Sequence, residues 1–174
     1  ETVLAAQGLT PAAEIAAEYP PAEYASPGGA LGAAMTDATF ACPAFRLNST
    51  LARYVPVWAY EFNDQNTPNP FAAVSFPMGA YHSGDLQYLM DITEFGYPNV
   101  TMTRPQERLA RSMKDMWTDV AKTARPTDGR SRAKWPEFDS INQRILSLQT
   151  GNGGPQVITD FYADHNCSFW ETRN

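Results

Sequence analysis

No apolar run in this chain approaches the roughly 18 to 20 residues that a membrane span requires, and no basic amphipathic stretch offers a surface anchor. A soluble chain with no membrane partner is the expectation. Charge is scarce as well: charged residues are 18% of the sequence, and 13 Lys and Arg against 19 Asp and Glu leave a net charge of -6. Nucleic-acid binding relies on clustered Lys and Arg, so this acidic balance argues against such a partner. Neither a phosphate-cradling loop nor a dinucleotide fingerprint is present, because Gly151, Gly153 and Gly154 sit in a turn with no suitable helix after it. No cofactor is implied. Cysteine and histidine occur twice each, and Cys42, His82, His165 and Cys167 lack the close paired spacing of zinc ligands. No metal site is expected, and His165 reads as a capping or packing residue near the last helix. The opening Glu1-Thr-Val-Leu-Ala-Ala has neither a basic start nor a long apolar core, so no targeting signal is legible in it. The Gly-x-Ser-x-Gly turn that presents a nucleophilic serine is absent too.

What is present suffices for a core: 43% of the residues are hydrophobic and 12% aromatic, which excludes a disordered chain. A first helix is expected over Leu9 to Pro20, with Thr10 as N-cap, Pro11 at the first helical position and Pro20 as terminator. A Pro/Gly-rich turn over Pro20 to Gly29 and a second helix follow. Val55 to Phe62 combines β-branched and aromatic residues and reads as a strand ending at the turn chemistry of Asn63-Asp64. Asn63 to Met78 is a long irregular loop, of a length more often functional than structural. The best-defined helix starts at a capping box formed by Thr103 and Gln106. Its stripe of Leu109, Met113, Met116, Trp117, Val120 and Ala124 is predicted to pack on a sheet. Arg125 to Trp135 reads as a basic loop. Ile145 to Leu148 and Gln156 to Ile158 read as a hairpin around Thr150-Gly-Asn-Gly-Gly154 at a sheet edge, before a terminal helix. Asn48, Asn99 and Asn166 each begin an Asn-x-Ser/Thr triplet, a pattern too common by chance to carry weight.

His82 lies after a glycine-bearing turn and before an apolar run, where a general base would sit. On position alone, a loop histidine is more often an ordinary surface residue. Cys42 and Cys167, equally, could be two free buried thiols or a bridge. Motifs in series change both readings. Thr36-Asp37-Ala38-Thr39-Phe40-Ala41-Cys42-Pro43 is followed by Val57-Trp58-Ala59-Tyr60-Glu61-Phe62. Then come Gly79-Ala80-Tyr81-His82 with Asp85-Leu86, Met116-Trp117 with Ala121-Lys122-Thr123, Trp135-Pro136-Glu137-Phe138, and His165-Asn166-Cys167-Ser168-Phe169-Trp170. In that order, these strings resemble the C-terminal third of the type B carboxylesterases, the family of the cholinesterases and para-nitrobenzyl esterases. Asp85 stands where the family usually has Glu.

The resemblance implies an α/β fold, the C-terminal part of an α/β-hydrolase: a short partial sheet with packed helices, with residues 1–174 forming one subdomain of a longer chain. It implies that His82 is the catalytic histidine of a serine carboxylic-ester hydrolase. The serine and acid would then precede Glu1, and this chain alone would be inactive. The partners implied are a small-molecule ester and the missing N-terminal part of the enzyme, with homo-oligomer formation through an exposed sheet edge. The loop residues Phe71, Phe76 and Met78 could line the acyl side. The resemblance also pairs Cys42 with Cys167, a bridge closing a loop of more than 120 residues. Such a bridge is worth on the order of 4 to 5 kcal/mol at most and places the parent protein outside the cell. The alternatives are a non-catalytic protein-binding module of the same fold and one chain of a split esterase.

Overall fold

A computed structural model describes residues 8, 11–71, 74–126 and 134–173. Thr10, the opening hexapeptide and most of the expected basic loop, residues 127–133, lie outside the described residues. The chain divides into two compact units, the first comprising Glu1–Leu47, Val74–Pro77 and Asp160–Asn174, the second Asn48–Ala73 and Met78–Thr159.

The first unit is helical. Helix α1 (Ala12–Glu18) begins one residue later than Pro11 was expected to place it, because Pro11 has an extended ψ of 124° and stands at the N-cap position. The stretch from Pro20 to Gly29 is not a turn throughout. A 3-10 turn covers Pro21–Glu23, and α2 (Pro27–Thr36) starts inside the stretch, with the Ser26 hydroxyl accepting from the Gly29 N–H at 3.0 Å. Proline early in a helix and a serine cap together outweigh the local glycines. A π-helical turn over Asp37–Ala41 carries Asp37 inward, 4% exposed, and leads into α3 (Cys42–Leu51), whose residues from Asn48 on belong to the second unit. Ile15, Tyr19, Ala34, Cys42, Cys167 and Trp170 make this unit's core. Cys42 and Cys167 are disulfide-bonded with their Cα atoms 5.3 Å apart, as the family pattern implied.

The second unit holds the sheet. Among the described residues it has three strands, β1 (Tyr60–Phe62), β2 (Ile145–Leu148) and β3 (Gln156–Ile158), in the order β1-β2-β3. β1 runs parallel to β2 with Tyr60 opposite Leu146, and β3 runs antiparallel to β2 with Leu146 opposite Val157. The expected hairpin forms, and its turn is built from left-handed residues, with Gly153 at φ 91° and Gly154 at φ 116°, conformations that a Cβ would strain. The expected strand from Val55 is shorter. The Val55 N–H bonds back to the Leu51 carbonyl at 3.0 Å, and Pro56 has no N–H to give a ladder. The Val57 carbonyl accepts from the Phe138 N–H, and the Ala59 carbonyl accepts from the Leu146 N–H and from Trp135 Nε1.

After α4 (Leu86–Leu89) and a 3-10 turn over Ile92–Phe95 comes α5 (Arg104–Thr123). The Thr103–Gln106 capping box closes its N-terminus. Leu109, Met113 and Met116 pack with Tyr88, Leu146 and Leu148 in this unit's core. The stripe stops early: Val120 is 37% exposed, and Ala124 ends the helix in the left-handed region. The terminal helix is two short ones, α6 (Phe161–Asp164) and α7 (Cys167–Glu171), because Asn166 between them adopts a left-handed φ of 46°.

Candidate active site

The sheet delivers the chain to the histidine. β1 ends at Phe62, the Asn63 N–H continues the ladder onto the Leu148 carbonyl, and the backbone turns at Asp64, whose carbonyl accepts the Thr67 N–H at 3.1 Å. Further along the chain Gly79 is left-handed at φ 59°. A Cβ on Gly79 would sit 2.8 Å from the Gln65 amide oxygen. A tight turn follows, closed by the Gly84 N–H on the Tyr81 carbonyl at 2.9 Å. His82 and Ser83 occupy its apex, and His82 is exposed to solvent. Its imidazole is therefore not consumed by a packed interior.

Two features mark this turn as built rather than incidental. Ser83 is left-handed at φ 66°, which costs a residue with a Cβ on the order of 1 kcal/mol. Gly84 admits no side chain, since a Cβ there would meet the Tyr81 carbonyl at 2.9 Å and Thr67 Cγ2 at 3.0 Å. Non-glycine residues in this region persist where the surroundings over-determine them, and they cluster at functional sites. Asp85, at the family's Glu position, is half-buried at the entrance to α4 and makes no side-chain cap bond there.

Tyr81 and Ser83, the chain neighbours of His82, line a cavity of about 100 Å³ together with Phe71, Leu86, Ile92 and Tyr97. The Phe71 ring meets Tyr81 and Tyr97 edge-on, with centroids 5.9 and 5.5 Å apart. Of the three loop residues expected to line an acyl pocket, Phe71 borders this cavity, whereas Phe76 falls in the first unit and Met78 is not in the cavity wall. Burial raises the Tyr81 phenol above its ordinary pKa, with a Gln87 hydrogen bond opposing. Tyr81 thus stays a neutral hydroxyl near pH 7.

A buried carboxylate braces the same region. Asp64 is 1% exposed. It accepts hydrogen bonds from the Tyr88 hydroxyl, from Gln106 Nε2 at 3.0 Å, from the Thr150 hydroxyl at 2.9 Å and from the Asn66 N–H at 3.2 Å. Burial alone would raise its pKa, but these four donors outweigh burial and hold the carboxyl below the usual range. Its lone pairs are spent on structural donors, so Asp64 is a scaffold charge rather than the partner of His82. In the sequence Asn63-Asp64 shows only turn chemistry, and the partners Tyr88, Gln106 and Thr150 are too distant in the chain for spacing to reveal.

The second histidine has a different role. His165 Nδ1 lies 2.6 Å from Asp37 Oδ1, the Tyr19 hydroxyl donates to the other oxygen at 2.7 Å, and Trp170 Nε1 donates to Tyr19 at 2.7 Å. Phe161 packs on the imidazole at a centroid distance of 4.3 Å. This network joins α1, the π turn, α6 and α7 around the disulfide, which is the packing role expected of His165. No group of three His, Cys, Asp or Glu among the described residues is placed to hold a metal.

Comparison with known proteins agrees with the resemblance. The model of the carboxylesterase family matches residues 11–170. Human cocaine esterase is 30% identical over 139 residues, covering 79% of this chain and 23% of the relative. Zebrafish acetylcholinesterase is 28% identical over 101 residues, 53% of this chain and 15% of the relative. Among solved structures, a thermophilic PNB esterase and a second PNB esterase superpose with TM-scores of 0.64 at 22% identity, covering 90% and 91% of this chain and 30% of each structure. The chain thus has the α/β-hydrolase fold of these neighbours and spans under a third of the length of the proteins it matches.

Proposed function

The chain belongs to the carboxylesterase family, and from that membership we propose that it is the histidine-bearing portion of a serine carboxylic-ester hydrolase, with His82 as general base and acid. One observation carries the reading: His82 is held exposed at the apex of a constrained turn beyond a strand of the sheet. In α/β-hydrolases the serine comes first along the chain, the acid second and the histidine last. The nucleophile comes from polypeptide beyond these 174 residues, since no Gly-x-Ser-x-Gly occurs within them, and the family resemblance implies that the acid lies there as well. His82 takes the proton of that serine as it attacks the ester carbonyl, then gives it to the departing alcohol.

The substrate is a small ester, and the first partner of this chain is the rest of its own enzyme. That remainder extends the sheet beyond β1, and in its absence a second copy pairs there instead. Extracellular placement is supported by the Cys42–Cys167 disulfide and by the acetylcholinesterase relatives.

The test uses the complete reading frame. His82→Ala is expected to lower kcat on 4-nitrophenyl acetate by several orders of magnitude, as removal of one member of such a constellation does. The 174-residue chain by itself is expected to give no turnover above buffer. Retention of activity by His82→Ala would refute the assignment, and a reading frame with no serine elbow would point to a non-catalytic binding protein.

A further inference from the structure

We propose that Gln87 is the positioning residue of the His82 turn, a conclusion that rests on the reading of His82 as the acid and base. Gln87 lies in α4 and is 8% exposed. Its Nε2 stands 2.8 Å from the Pro68 carbonyl, 2.9 Å from the Tyr81 hydroxyl and 3.2 Å from the Gly84 carbonyl. Pro68 belongs to the segment arriving from β1, Tyr81 is the residue before His82, and Gly84 closes the turn after it. The Tyr81 hydroxyl also donates to the Pro68 carbonyl at 2.8 Å. One amide therefore ties the approach and both flanks of the histidine into a single unit.

The other end of the amide argues for function over stability. Gln87 Oε1 is buried and has no hydrogen-bond partner among the described residues, and Gln87 itself borders the cavity beside Tyr81 and Ser83. A buried acceptor left without a donor works against folding, and native proteins rarely carry one. Flipping the amide would set its oxygen against the Pro68 and Gly84 carbonyls, so the three acceptors fix the orientation and the stranded oxygen follows from it. Leucine at this position would fill similar space without a stranded polar atom. What leucine would lack is the pair of N–H groups that hold a turn already strained at Ser83 and closed to any side chain at Gly84. A proton carrier must sit within a fraction of an ångström of its serine, and a misplacement of about 1 Å costs roughly 100-fold in rate.

In the full-length enzyme, Gln87→Leu is expected to lower kcat on 4-nitrophenyl acetate by about 10- to 100-fold while KM stays within about twofold. Labelling of the serine by a fluorophosphonate should slow in parallel. Rates are normalised to folded enzyme by stoichiometric titration of the serine, which removes any contribution from unfolded protein. Tyr81→Phe deletes one of the three acceptors and the bond to Pro68 without touching the α4 packing. It should give a smaller loss of the same kind, and it carries the test alone if Gln87→Leu does not fold. An unchanged normalised kcat in these variants, with His82→Ala inactive, overturns the positioning role and leaves the role of His82 standing. Activity retained by His82→Ala removes both.

Discussion

Burying the Asp64 carboxylate would by itself favour its neutral form, yet four donors from Tyr88, Gln106, Thr150 and Asn66 hold its folded pKa below the ordinary value. A depressed acid confers stability that is fully present above its unfolded pKa, near 4, and is lost as pH falls through the lower folded value. Asp64→Ala is therefore expected to cost about 3 kcal/mol at neutral pH, because it removes a charge-assisted network and strands its donors. Urea unfolding at pH 6 and at pH 3 checks this. The gap between wild type and Asp64→Ala should narrow at the lower pH, and an equal gap at both would mean that the carboxylate is not ionised in the fold. Asp37 illustrates the limit of reading residues singly. Its place in a family string is visible in the sequence, whereas its pairing with His165 and Tyr19 depends on helices brought together from the two ends of the chain.

At the scale of the element, α5 is where sequence pattern and structure agree most closely, because a 20-residue helix sums many small preferences along one face. Met113 is fully buried against the sheet and Val120 is 37% exposed, although both belong to the same stripe. Met113→Ala is expected to cost about 2 to 5 kcal/mol by leaving a cavity, and Val120→Ala less than about 1 kcal/mol. Thermal unfolding of the two variants separates them, and equal costs would contradict the packing. The hairpin of β2 and β3 was equally legible, since its turn residues and strand lengths are local properties. The strand before the loop is shorter than its composition suggests: Val55 and Trp58 are strand-forming residues, but a bond back to α3 and the missing N–H of Pro56 leave a strand of only three residues. The single terminal helix also divides, at a left-handed asparagine that periodicity does not register.

For the whole molecule, the covalent tie in the first unit joins residues 125 positions apart. Closing so long a loop restricts the unfolded chain, so Cys42→Ser with Cys167→Ser should lower stability by on the order of 4 kcal/mol. Denaturant titration with and without reductant measures it, and a midpoint indifferent to reductant would show that the bridge does not form. By itself the sequence determined the long helix with its cap and the hairpin and, through family resemblance, the class of fold, the identity of the bridged cysteines and His82 as the candidate catalytic residue. These follow from short-range rules of spacing, capping and turn chemistry, or from strings of residues kept in order. Only the tertiary structure decided that Asp64 is a saturated scaffold charge, that His165 closes a buried network, and that Gln87 grips both sides of the histidine turn. Those roles depend on contacts such as Gln87 with Pro68, Asp64 with Thr150 and Asp37 with His165, which are 19, 86 and 128 positions apart, and a hydrogen bond at such separations exists only once the backbone has set donor and acceptor within 3 Å or so.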